Sequence, residues 1–597
     1  MDVKARHCFE VSFEVCNKVG GIYTVVSSKA RHMIKQYGDG YITIGPYFPK
    51  KAYGVFEERL PPDNMKAAFD RLRGQGIECH YGTWLVTGNP QAILVDFAPF
   101  TTQTERIKRE LWDSFQLDTL GTTYYDVDEP VVWAYAVGKL IQELTGVIEG
   151  PVVAHFHEWL AGAGLLYLKK ENAPVATVFT THATMLGRTL ASADVKLYDV
   201  LDSIDPEKEA RSRGQGLWAK FQMERLCAQQ AGAFTTVSEI TGMEAEKLLG
   251  RKPDVLLFNG LDMEKFPTFE ESSVRHRLFK NKIFDFIFYH FFPYYSFDVD
   301  NTLIYFLSGR YEFHDKGIDV FIRALGRLND RLKQEKVKKT VVAFFWVPGN
   351  IRGIKPELLE SKTYYNDIKD FVHDNIEDTQ HHLLDSLASD KDITKRTIFD
   401  EDELDEIRRK VLRFKRRGQP PICTHDLHDQ ENDAIFRTLL DVGLDNAEDD
   451  RVKVVYYPIY LTGTDGLLNM SYYESMQGSH LGVFPSYYEP WGYTPLEAGA
   501  LGVPSVTSDL AGFGRYICEE CKPGPDPGIW TIKRFHKSDD EVIEQLGEVL
   551  YYYTTLDKNH RIENKIAARA VAETCDWKEF ISRYIEAHNL AVDRIGK

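Results

Sequence analysis

Two glutamates eight positions apart, Glu489 and Glu497, stand in the stretch GVFPSYYEPWGYTPLEAGALGVPSVTS, among tyrosine, tryptophan, glycine and proline. A carboxylate there lies between a strand-like run, LGVFPS, and a helix-like one, TPLEAGAL. At such a junction the opening amides, here those of Trp491, Gly492, Tyr493 and Thr494, favour an anion beside it. Glu497 also fits a plainer duty. With Thr494 at the N-cap and Pro495 at the first helical position, it completes a capping box. Glu489 has no capping duty to perform, so it is the stronger candidate for chemistry.

Other candidates fall at similar junctions. In EVCNKVGGIYTVV, the pair Gly20-Gly21 lets backbone approach a ligand closely, with Lys18 supplying charge. In SGRYEFHDKGIDVF, Arg310 and Lys316 are two cations able to grip a diphosphate, although single cations on loops are commonly just solvated. AHFHEWLAGAG offers His155, His157 and Glu158, and TTHATMLGR offers His182 and Arg188. The H-x-H pair ends a strand instead of falling at i, i+4 of a helix, so contacts to a hydroxylated ligand suit it better than a metal. No G-x-S-x-G elbow provides a serine nucleophile.

These residues belong to a long, acidic chain. At 597 residues it exceeds one core, and roughly 100–200 residues per domain implies two to four units. A formal charge of -17 argues against nucleic acid or an anionic membrane as the main partner, while leaving room for a small anion held by local cations. The amino-terminal residues lack a long apolar run, and no stretch of eighteen or so uninterrupted apolar residues occurs, which leads to the expectation of a cytoplasmic protein. The eight cysteines are sparse, as reduced thiols would be; Cys518 and Cys521 form a C-x-x-C with no obvious second ligand pair.

Positioning the candidates requires alternating strands and helices. Strand-like runs start at Cys8, Val152, Val175, Ala233 and Val255, and again at Leu303, Thr340, Val452, Leu481 and Pro504. Such alternation predicts α/β units with parallel sheets. It sets a boundary near Phe266, giving units of 1–266 and 267–574. The charged amphipathic segment at about 357–418 is longer than a crossover needs and is expected to be an inserted helical unit, either oligomerising or merely solvated.

The collinear motifs NKVGGIYTV, VVAHFHEWLAG, VFTTHATMLGR, FTTVSEIT, GRYEFHDKG and FPSYYEPWGYTPLE resemble those of the eukaryotic-type glycogen synthases, over nearly the whole chain from Phe9 to Trp577. The resemblance implies a GT-B type fold, with two Rossmann-like domains facing a cleft and a carboxyl-terminal helix, about 575–597, returning to the first. It also implies transfer of glucose from UDP-glucose to the non-reducing end of glycogen, retaining configuration in an α-1,4 linkage, with no cofactor and no metal. Glu489 then matches the first member of an E-x7-E pair at the donor glucose, and Glu497 the second, near donor hydroxyls. Arg310 and Lys316 match the diphosphate-binding pair, and His182 a histidine beside the transferred glucose. Lys18, Gly20, Gly21, Arg188, Asn259, Trp491, Gly492, Tyr493 and Thr494 complete the expected substrate contacts, with Tyr472 a candidate for stacking on uracil that could equally be core.

Retention invites a carboxylate nucleophile, whereas this family's usual proposal is a front-face route in which the leaving phosphate helps deprotonate the incoming hydroxyl. The resemblance further implies a homotetramer through the inserted helices and leaves open a glycogenin-like primer. The family's arginine-rich helix, which senses glucose 6-phosphate, corresponds to LDKNHRIENKIAARAVAETCDWKE, where only Arg561 and Arg569 remain, with Lys558 and Lys565 nearby. The phosphorylated tails also have no counterpart, so weak control by that sugar phosphate and none by tail phosphorylation are expected. Competing readings are a GT-B glucosyltransferase with another donor or acceptor, and a catalytically silent glycogen-binding scaffold.

Overall fold

The computed structural model describes residues 2–520 and 526–595. Cys521 lies outside them, so nothing bears on the C-x-x-C, of which Cys518 is exposed.

Two parallel-rich sheets organise the chain. The first contains nine strands: β1 His7–Val11, β2 Tyr41–Pro46, β3 Phe56–Glu58, β4 Glu78–Trp84, β5 Gln91–Asp96, β6 Val152–His157, β7 Val175–Thr181, β8 Ala233–Thr236 and β9 Val255–Leu256. Their order is β3-β4-β5-β2-β1-β6-β7-β8-β9. The later strands are β10 Thr302–Ser308, β11 Thr340–Trp346, β12 Ile351–Ile354, β13 His425–Leu427, β14 Val452–Tyr456, β15 Leu481–Val483, β16 Ser505–Ser508 and β17 Ile529–Ile532. Six of these form a second sheet, ordered β14-β11-β10-β15-β16-β17.

Central strands such as VVAHFH and TLIYFLS are buried along nearly their whole length, because helices cover both faces of a parallel sheet and both sets of side chains must be apolar or internally paired. The first strand is shorter than its sequence suggested. Ser12 turns the chain: its hydroxyl accepts the Glu14 amide at 3.1 Å and its carbonyl the Val15 amide at 3.2 Å. Strands β2 to β5, which extend the first sheet on one side, are absent from the sequence-based expectation.

Parallel pairing decides where chemistry can occur. β1, β6 and β7 are neighbours, with His7 opposite Val152 and Val152 opposite Val175, so their carboxyl ends share one edge. β10 and β15 likewise pair in parallel, Tyr305 opposite Leu481. The loops carrying Gly20, His157 and His182 therefore open on one sheet edge, and those carrying Arg310, Lys316 and Glu489 on another, the positions where open α/β sheets take ligands.

Helices Pro356–Asp374, Ile376–Ala388, Lys395–Ile398 and Glu401–Phe414 form the inserted unit, rooted by the antiparallel pair β12 and β13. The last helix, Trp577–Asp593, crosses back onto the first sheet at β7. Trp577 anchors it: the ring is fully buried, its backbone amide donates to Leu261 O at 3.0 Å and its Nε1 to Ser28 Oγ at 2.8 Å. Truncating a buried tryptophan of this kind to alanine costs about 3–5 kcal/mol. Among the described residues no helix is long and apolar enough to cross a membrane.

Candidate active site

On the second sheet's edge, the loop after β10 turns at Gly317, whose φ of +67° favours glycine and where a Cβ would overlap the Pro485 carbonyl. This close approach brings Lys316 against the loop after β15. Lys316 Nζ donates to Glu489 Oε2 at 2.5 Å, with both side chains largely withdrawn from water. Ser308, Ser486, Thr494 and Thr507 line the same small cavity. Arg310 is not part of it: its side chain is 65% exposed and pairs with Glu312 at 2.8 Å.

Glu497 is not a helix cap. The helix begins two residues early, at Tyr493, because Gly492 takes φ +105° and itself serves as N-cap, so the Thr494 capping box does not form. The Glu497 carboxylate instead accepts the hydroxyls of Tyr473 at 2.8 Å and Tyr472 at 3.2 Å. Burial raises its carboxyl to about 7, the two hydroxyl donors opposing. Tyr472 is thus tied to Glu497 by its hydroxyl.

Trp491 sits away from the opening: it is 3% exposed and stacks on Phe258 at 5.6 Å, with Phe580 of the last helix edge-on at 6.2 Å. Tyr493 donates to Gly260 O at 3.4 Å. Both aromatics join the two units, and Asn259, between Phe258 and Gly260 in sequence, is buried with its Oδ1 unpartnered.

The first sheet's edge is built differently. Glu158, at the end of β6, has φ +66°, a left-handed conformation that costs a non-glycine residue on the order of 1–3 kcal/mol. The strain turns its carboxylate onto the next strand's loop, where it accepts the amides of His182 at 2.9 Å and Ala183 at 3.3 Å. Burial raises this carboxyl to about 7, with Arg188 and the two amides pulling the other way.

Two more acids support the same loop. Glu224 accepts the Met185 amide at 2.9 Å and the Thr181 hydroxyl, and burial and Glu158 push it up to about 8. Glu244 accepts Thr184 and Tyr198 hydroxyls at 2.8 Å. Neither Glu224 nor Glu244 stands out in the sequence, because each lies inside an ordinary helical pattern; only the fold brings them to one loop.

Gly20 and Gly21 open the helix Gly21–Tyr37 at this edge, but Glu14 Oε2 takes the amides of Gly20 and Tyr23, each at 2.8 Å. Lys18 is exposed and lies 5.7 Å from the Tyr23 ring centre. His155 and His157 are engaged within the protein, His155 with Thr180 and His588 and His157 with Glu10 and His182. Glu10, His155 and His157 offer atoms close enough for a metal, yet the Lys29 ammonium is ion-paired to Glu10 there, which disfavours a second cation.

The two edges face one another. Arg188, on the first, is within Coulombic reach of Glu158 on its own side and of Tyr488, Glu312 and Glu489 on the other. Direct contacts close the cleft's flank: Tyr488 Oη donates to Glu244 at 3.1 Å and Ser192 Oγ to Asp315 at 3.2 Å. His182, Arg188, Glu158, Lys316 and Glu489 are therefore brought to one cleft, with Arg310 at its exposed rim.

A second cationic cluster lies on the helix Lys558–Glu573. The expected depletion counted this helix alone, and of its arginines Arg569 is committed to the carbonyls of Pro267 and Ala500. Arg561 and Lys565, however, share their surroundings with Lys280 and His276 of the helix Phe269–Phe291 and with His480. Burial and then repulsion from Lys280 and Arg561 lower Lys565 to about 7.

Residues 10–596 match the protein-family model described as glycogen synthase. The chain is 38% identical over 590 residues to the liver glycogen [starch] synthase of Mus musculus, covering 98% of this chain and 83% of that one. It is 38% identical over 606 residues to the glycogen [starch] synthase of Neurospora crassa, covering 99% and 84%. The solved catalytic domain of Starch Synthase IV from Arabidopsis thaliana, bound to ADP and acarbose, shares the GT-B fold at 13% identity with a TM-score of 0.52, over 99% of this chain and 100% of that one. With the motifs in one cleft and the match running almost end to end, this chain belongs to the glycogen synthase family.

Proposed function

We propose that this chain transfers glucose from UDP-glucose to the non-reducing end of glycogen, forming α-1,4 linkages with retention. The observation that carries the reading is the Lys316–Glu489 pair facing His182, Glu158 and Arg188 across one cleft. The departing nucleotide diphosphate carries charge that Lys316, Arg310 and Arg188 are placed to neutralise as it develops, the kind of electrostatic support worth most in a site shielded from water. Glu489, bound to an ammonium, is a poor nucleophile and a good stabiliser of positive charge at the donor carbon, which favours the front-face route. Glu497 with Tyr472 and Tyr473 forms the hydroxyl-binding end of the donor pocket.

In this reading residues 1–266 with the last helix form the acceptor side and 267–574 the donor side. Exposed apolar side chains on the insertion, including Leu359, Val372, Leu384, Leu387 and Leu412, support assembly as a homotetramer through it. A cytoplasmic location and a glycogenin-like primer complete the proposal. Against the expectation of weak regulation, the cationic cluster around Lys565 supports a reading in which it takes a sugar phosphate such as glucose 6-phosphate.

The test is UDP release with UDP-glucose and glycogen, against ADP-glucose, for wild type and Glu489→Ala. Turnover confined to UDP-glucose and lowered about a hundredfold or more in the variant is expected. Glycogen binding without turnover would identify a silent scaffold instead, and equal rates for the variant would displace the site.

A further inference from the structure

Beneath His182 runs a buried chain of polar side chains that the transfer chemistry does not itself require. Glu10, on β1, is fully buried; its carboxylate is ion-paired with Lys29 and accepts the Tyr41 hydroxyl. Its Oε1 lies 2.8 Å from His157 Nε2. His157 Nδ1 in turn lies 2.9 Å from His182 Nε2. His182 Nδ1 has no partner among the described residues, and the residue is 8% exposed.

The direction of each proton follows from the chemistry of the first member. A carboxylate held by an ammonium and a hydroxyl is an acceptor only, so His157 Nε2 carries hydrogen. A second proton on that ring would place an imidazolium beside Lys29, out of reach of water, so His157 Nδ1 is the lone-pair nitrogen. The hydrogen between the two rings therefore belongs to His182 Nε2, and its Nδ1 is left bare.

The surrounding groups agree. His155 stacks on His157 at 4.3 Å but belongs to a separate chain through His588 to Tyr37. The Lys29 ammonium lies over the Tyr584 ring at 3.9 Å, and Arg188 adds positive potential near His182. Glu158 faces the backbone amide of His182, not its ring. Burial and Lys29 hold both His157 and His182 below the usual histidine range.

We propose that Glu10 and His157 are positioning residues that fix His182 as the Nε2–H tautomer, so that its Nδ1 accepts a hydrogen bond from a hydroxyl of the bound sugar. The inference rests on the reading of the cleft as a sugar-transfer site, but its primary readout does not.

Selective 15N-histidine labelling with long-range 1H–15N correlation, the His182 signal being assigned by its loss in His182→Gln, should show the Nε2–H tautomer without titration from about pH 6 to 9. An Nδ1–H tautomer or an imidazolium in that range would overturn the proposal. The kinetic arm uses His157→Phe, because Glu10→Gln strands Lys29 as an unpaired buried charge and endangers folding. The expected result is a kcat lowered about tenfold or more, a KM for UDP-glucose within about threefold and, by the same 15N correlation, loss of the single Nε2–H tautomer at the released His182. His157→Asn, whose side-chain oxygen can take the place of Nδ1, should recover part of kcat. A uniform loss with the Nε2–H tautomer kept in His157→Phe and no recovery would mean a merely structural role and defeat the proposal. Should wild type show the Nε2–H tautomer yet no transfer, the transferase reading falls and the tautomer assignment stands.

Discussion

The two walls of the cleft hold their charged groups in opposite ways. On the first, the acids and the histidine are fixed: Glu158 by a strained backbone and two amides, His182 by His157 and Glu10, the 181–188 loop by Glu224 and Glu244. On the second, charge sits at the ends of long side chains, Arg310 in water and Lys316 on Glu489. The difference teaches that the first wall is ready before substrate arrives, whereas the second must exchange an internal ion pair for contacts to the diphosphate. Preorganised donors lose little on binding; mobile ones give up side-chain entropy, and that loss falls on affinity.

The largest effect that would break this contrast is on the second wall. Lys316→Ala is expected to lower kcat/KM by about 10²–10³, since it removes a desolvated cation from the departing phosphate and leaves Glu489 unpaired. Arg310→Ala should cost less, and mainly in KM for UDP-glucose, because an exposed arginine must be ordered before it helps. Steady-state kinetics over both donor and acceptor concentration separate the two. Equal losses in kcat for both variants would show that the exposure of Arg310 has no functional meaning.

A smaller effect concerns a site remote from both walls. Lys280, Arg561 and Lys565 collect positive charge beside the rings of His276 and His480, which burial keeps neutral, and a phosphate there would raise the proton affinity of Lys565 from about 7. The sign follows: binding takes up a proton, so stimulation by glucose 6-phosphate should need more effector as pH rises from about 7 to 9. Lys565→Ala should abolish a several-fold stimulation while leaving basal activity within about twofold, measured as transfer with and without the effector. Stimulation unchanged in the variant would remove this cluster from regulation.

Much of this was legible in residue types. The strands that carry the site announce themselves by buried β-branched runs, and the loops after them by glycine, cations and acids at strand-to-helix junctions. The alternative reading of Glu497 as a cap fails although T-P-L-E satisfies every local rule for a helix start, and only the positive φ of Gly492 shows that the helix starts earlier. Trp491 carries the signal of a ligand-facing aromatic, yet it is consumed by Phe258 and the last helix, whose return from the chain's far end no local pattern contains. The acids at Glu224 and Glu244 and the cation at Lys280 were hidden for the same reason. Each is unremarkable in its own element and acquires meaning from neighbours brought up by topology.

The smallest effect tests whether the second wall also stores backbone constraint. At Glu158 the first wall tolerates a left-handed non-glycine residue because its carboxylate gains two amide partners. At Gly492 the second wall uses glycine at φ +105°, outside the narrow left-handed region that side chains can enter, and a Cβ there would meet Glu489 Cγ at 3.3 Å. Gly492→Ala should therefore destabilise the chain by on the order of 1–2 kcal/mol, seen as a drop of a few degrees in Tm, and should shift Glu489 enough to lower kcat severalfold. A variant with unchanged Tm and lowered kcat would place the constraint on the catalytic carboxylate alone. With both unchanged, the loop would have to relax freely, and the rigid placement of Glu489 against Lys316 would no longer hold.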